Sequence, residues 1–124
     1  MFKSKLKAKL KHIHTWDVDL DTFKPKAEEF FGFWVEAEIG PRNDNSKEIY
    51  QLLICTPDWI KNELLTTQTP SLLVRAMLIV SKYDLTEIEK TIQNYLDKCT
   101  GENWDEISEK INRVAISEFE GYKE

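Results

Sequence analysis

Residues 31–55 read FGFWVEAEIGPRNDNSKEIYQLLIC, two apolar-rich runs on either side of a dense cluster of turn formers. In the first run Phe31, Phe33, Val35, Ala37 and Ile39 share one parity, and Trp34, Glu36 and Glu38 share the other. A period of two is that of a strand with one face in a core. Gly40 and Pro41 stop it, and GPRNDNSK (Gly40–Lys47) is rich enough in turn residues to reverse the chain. From Ile49 to Cys55 both parities are apolar except at Gln51, the pattern of a central strand covered on both faces. An antiparallel hairpin follows. Trp34, set beside two glutamates, is either covered by a helix or stands as an aromatic anchor among acids, as at a protein-binding surface.

Toward the N-terminus, Lys5, Lys7, Lys9 and Lys11 alternate with Leu6, Ala8 and Leu10, which predicts a half-buried strand with a lysine face. Lysines on an edge strand block edge-to-edge pairing. His12 and His14 continue the apolar parity and read as hydrogen-bonded structural histidines, and Trp16–Pro25 reads as an acidic loop. Beyond the hairpin, Thr56-Pro57-Asp58 supplies an N-cap hydroxyl, a first-position proline and a first-turn acid for a helix over Asp58–Leu64. Leu72–Val80 is apolar enough for another buried strand. Asp84 and Glu87 open a helix whose stripe is Leu85, Ile88, Ile92, Leu96 and Cys99; Asn103 and Glu106 open a second, with Trp104, Ile107 and Ile111 on its stripe, ending near Asn112. Val114–Phe119 is extended and returns to the sheet. The expected class is α+β, a mainly antiparallel sheet of four to five strands packed by two to three helices, in one domain over residues 1–124.

Composition narrows the function. At 124 residues, 41% hydrophobic and 11% aromatic, the chain can close a core. A formal charge of -5 argues against direct nucleic-acid binding, which needs a basic surface, and the acids concentrate in the last third. Two cysteines, Cys55 and Cys99, are too few for a disulfide framework and lack an activating motif, so reduced, inert thiols and a cytoplasmic location are expected. Neither a secretory signal nor a run of about 20 apolar residues for a membrane span is evident.

Motifs that carry chemistry fail on inspection. Asp17, Asp19 and Asp21 with Glu28 have the spacing of a calcium loop, but Thr22 stands where glycine is needed and no helix precedes Asp17. His12 and His14, with Asp17 nearby, lack further Cys/His ligands. Four scattered glycines build no phosphate loop, and the pairs Glu36/Glu38 and Glu118/Glu120 have nothing nearby to split their pKa values for acid–base catalysis. No metal, cofactor or catalytic residue is expected.

Five strings in order, KAKLKHIH (Lys7–His14), FGFWVEAEIGP (Phe31–Pro41), CTPDWI (Cys55–Ile60), LIVSKYD (Leu78–Asp84) and CTGENWDEISEKINRVAISEFEGY (Cys99–Tyr122), make the chain resemble the immunity protein 8 family of bacterial polymorphic toxin systems. The segment TTQTPSLLVRAM (Thr66–Met77) departs from that pattern, and Ala115–Ser117 is less aromatic than expected. The resemblance implies a non-catalytic α+β antitoxin that binds a cognate toxin domain, with no membrane partner. Toxin-contact residues do not carry over. Strand parity and charge instead nominate Trp34, Glu36, Glu38, Glu118 and Glu120 for toxin binding. A nuclease toxin, basic in its cleft, suits an acidic partner. The alternative class is a small metal-dependent enzyme or sensor using His12, His14 and Asp17.

Overall fold

A computed structural model describes residues 5–25, 27, 29–68, 71 and 74–118. Strands β1 (Ala8–His14), β2 (Gly32–Pro41) and β3 (Glu48–Cys55) are followed by helix α1 (Pro57–Thr66), strand β4 (Met77–Ile79), helices α2 (Leu85–Leu96) and α3 (Trp104–Ile111), and strand β5 (Ile116–Ser117). The sheet runs β1-β2-β3-β4, with β5 also paired to β3. All pairs are antiparallel except β3 with β4, because the connection through α1 returns the chain in the same direction. The architecture is α+β, as the sequence predicts.

The doubly apolar run became the central strand: Leu52, Leu53, Ile54 and Cys55 are all buried. On the inner face of the sheet Val35, Ala37, Ile39, Tyr50 and Ile54 meet Ile88, Ile92 and Leu96 of α2 and Ile107 and Ile111 of α3 in one core. Both helices start on the caps that the sequence offers. Asp84 accepts from the Glu87 N–H at 3.2 Å and Asn103 from the Glu106 N–H at 3.0 Å, each contributing about 1 kcal/mol. The buried Tyr50 ring ties β3 to α3 through its hydroxyl, 2.7 Å from Ser108 Oγ.

Three expectations need correction. Thr56 flanks α1 as foreseen, but its hydroxyl makes no cap bond; it accepts from Phe31 N–H and donates to Phe31 C=O, fastening the helix start to β2. The strand expected over Leu72–Val80 shrinks to three residues, since Ala76 takes a left-handed φ of 65° just before β4; Leu72 and Leu73 lie outside the described residues. The first strand begins at Ala8 and reaches His14, and it does not alternate strictly.

The departure from alternation in β1 sets the geometry of the outer sheet face. Leu10 pairs with Ile39, yet His12 pairs with Glu38, so Lys11 is an extra residue in a β-bulge. Past the bulge the parity inverts. Ile13 enters the core at 8% exposure, and His12 and His14 move to the opposite face from Ala8 and Leu10. The reading of both histidines as continuing the apolar parity is therefore overturned. The Lys11 ammonium bonds the carbonyls of Asp44 and Ser46 in the β2–β3 turn, which holds the bulge in place. As an edge strand, β1 carries both a bulge and lysines, two devices that discourage pairing with another chain.

Candidate functional site

The outer face of the sheet is read in rows across the strands. His12 of β1, Glu38 of β2 and Ile49 of β3 form one row, and the Glu118 N–H reaches Ile49 C=O at 3.0 Å to extend it. The next row is His14, Glu36, Gln51 and Ile116, and Trp34, Leu53 and Met77 form a third. Three of the five residues nominated for toxin binding, Trp34, Glu36 and Glu38, thus sit at outer-face positions of one sheet, and the exposed Glu118 directly follows β5. Glu120 lies outside the described residues.

α1 packs against one end of this face only. A Cβ at Gly32 would lie 2.1 Å from Cδ2 of Trp59, so the indole of α1 rests directly on the β2 backbone there. Two residues on, Trp34 is 45% exposed, so α1 does not cover it. Trp16, at the start of the acidic loop, is 86% exposed and sets its ring edge-on to His14 at 5.4 Å. Thr15 donates its hydroxyl to Trp34 C=O at 2.7 Å and so anchors that loop to β2. Two large aromatic surfaces flank the histidine–glutamate rows.

Charge on this face is organised. His14 Nε2 is 3.0 Å from Glu36 Oε1, and its Nδ1 is 3.9 Å from Glu38 Oε2. Glu38 Oε1 is held by the Lys47 ammonium from the turn. The Lys47 hydrogen bond, opposed by burial and aided by the charges of Lys47, His12 and His14, keeps the Glu38 carboxyl below its ordinary range. Glu38 is an anion at neutral pH, partly neutralised by a lysine that the turn, nine residues on, brings back to it. The His12 and His14 rings stack at 5.5 Å. Among the described residues, His12, His14 and Glu38 are one group able to converge on a metal, and Glu38 replaces Asp17 as the acidic member.

The remaining candidates separate from this face. Asp17, Asp19 and Asp21 are exposed; Asp19 Oδ1 accepts from the Asp21 N–H at 3.0 Å and its carbonyl from Phe23 N–H at 2.8 Å, closing a turn, and Glu28 lies outside the described residues. Cys55 and Cys99 are buried, and desolvation pushes the Cys55 thiol up to about 11 and raises that of Cys99. Neither is a nucleophile at neutral pH. Among the described residues no helix is long and apolar enough to cross a membrane.

Fold and face together define a small α+β protein with an open sheet face that carries aromatics and acids. The profile of the immunity protein 8 family matches residues 8–122, and the chain belongs to that family. No curated protein and no solved structure matches it.

Proposed function

We propose that this chain is an antitoxin that binds a cognate domain of a bacterial polymorphic toxin in the cytoplasm and blocks it, with no catalysis of its own. Membership of the immunity protein 8 family supports the class. The observation that carries the location of binding is the 45% exposed Trp34 on an outer-face row beside those of Glu36 and Glu38, where α1 leaves the sheet open. Aromatics with partly desolvated surroundings are the residues on which binding energy concentrates, and rim acids steer the approach of a basic partner. Glu118, exposed directly after β5, is proposed with them, and Glu120 on sequence grounds. With a formal charge of -5, a nuclease is the toxin class the electrostatics favour.

Co-expression with a cognate toxin domain tests this reading. Parent chain should restore growth, Trp34→Ala or the pair Glu36→Lys and Glu38→Lys should lose protection while remaining folded by circular dichroism, and Asp58→Lys on α1 should protect. Full protection by folded Trp34 and glutamate variants would move the interface elsewhere.

A further inference from the structure

We propose that His12, His14 and Glu38 form a binding site for a zinc-type divalent transition-metal ion. This departs from the expectation of a metal-free chain, and the reason is the bulge at Lys11. By inverting the parity of β1 it takes two imidazoles off the apolar face and sets them across from Glu38, with one ligand atom of each of the three residues within 4.8 Å of the other two. Two imidazole nitrogens and one carboxylate oxygen suit Zn²⁺ and its neighbours in the first transition row, and leave a fourth position open.

His14 supplies the independent observation. Its Nε2 faces Glu36 Oε1 at 3.0 Å, so Nδ1 is the nitrogen left for another partner. That Nδ1 is buried and has no hydrogen-bond partner, a costly state for a polar atom. It points toward Glu38 Oε2 at 3.9 Å, the oxygen that Lys47 does not hold. A carboxylate that orients an imidazole through its far nitrogen is a partner that metal-bound histidines commonly have. Bonds of about 2.0–2.2 Å place tetrahedral ligand atoms roughly 3.4 Å apart, so a pair at the 4.8 Å limit must close by about 1.4 Å. His12 is exposed, so its ring is free to rotate toward the other two ligands. Glu36 acts only through His14 and is a positioning residue.

The test uses the whole chain, stripped with a chelator, and Zn²⁺ as the probe at neutral pH. Equilibrium dialysis should give one equivalent bound per chain, and Co²⁺ in its place should show visible absorption bands of a nitrogen-ligated site. His12→Ala, at an exposed position that does not threaten folding, should lose the bound equivalent, as should His14→Ala and Glu38→Gln. Glu36→Ala should weaken binding about 10–100-fold with the Co²⁺ bands retained, and Asp17→Ala should change nothing. No stoichiometric zinc in the parent, or binding that persists in folded His12→Ala and His14→Ala, overturns the site. Because no toxin is present, the outcome is separate from the antitoxin reading: a chain that protects cells without holding zinc refutes the site alone, and one that holds zinc without protecting refutes the function alone.

Discussion

Deleting Lys11 removes the bulge without removing any core side chain. A strictly alternating β1 must then give up one of its halves. Either Ile13 leaves the core and His12 and His14 turn into it, or Ala8 and Leu10 leave and lysines take their place. Ile13 is 8% exposed, and returning such a side chain to water costs about 1.5–3 kcal/mol. Turning His14 inward also breaks its contact with Glu36 and buries a polar ring, for roughly 1–3 kcal/mol more. The loss of Ala8 and Leu10 is of similar size, so the deletion should destabilise by roughly 3–5 kcal/mol by either route. In a chain of 124 residues that lowers the melting temperature by roughly 10–25 °C. Thermal unfolding followed by circular dichroism reads it directly. Lys11→Ala keeps the extra residue and loses only bonds to turn carbonyls, so it should cost no more than about 1 kcal/mol. A deletion variant that melts within about 2 °C of the parent would refute the parity inversion.

Gly32→Ala should dislodge Trp59 from β2, for a loss of about 1–3 kcal/mol and a red shift in tryptophan emission; unchanged emission and stability would contradict the packing of α1. Trp104→Phe removes the bond from indole Nε1 to Glu48 Oε1 at 3.0 Å but keeps most of a half-buried ring, so denaturant titration should show about 1 kcal/mol lost, not the 3–5 kcal/mol of an excised core aromatic. At pH 8 a Cys55 thiol with a pKa of about 11 is thiolate in about one molecule per thousand. Thiol reagents should therefore label both cysteines of the native chain slowly and those of the denatured chain at once; prompt native labelling would contradict their burial.

The elements that read most plainly from the sequence are those whose signals are local. The hairpin at 31–55 has a period of two and a turn cluster, α2 has a long stripe opened by Asp84, and α3 is opened by Asn103; each formed within a few residues of its expected bounds. What escaped depended on partners distant in the chain. Thr56 has the right residue type for a cap but finds Phe31 25 positions upstream. β4 is short because of the backbone at Ala76, an ordinary residue in a left-handed conformation. Trp104 was expected on a core stripe and lies at its margin, where Glu48 satisfies its N–H. The bulge did leave a trace. Ile13 sits on the lysine parity of β1, an apolar residue out of phase, and only an inserted residue reconciles it with the core. Strict alternation places His12 and His14 on the inner face, whereas the bulge brings them together with Glu38. Trp34, Glu36 and Glu38 were legible together because they fall on an uninterrupted strand.

The most direct test is the binding kinetics of purified chain and its cognate toxin domain at two salt concentrations. If the outer sheet face is the contact surface, Glu36→Lys with Glu38→Lys should slow association, most at low salt, where charges steer. Trp34→Ala should leave association nearly unchanged and raise the off-rate by roughly 30-fold or more, the equivalent of about 2 kcal/mol. Val114→Ser, also exposed but outside those rows, should bind like the parent. Parent-like association and dissociation at both salts for the folded Trp34 and glutamate variants would contradict the account.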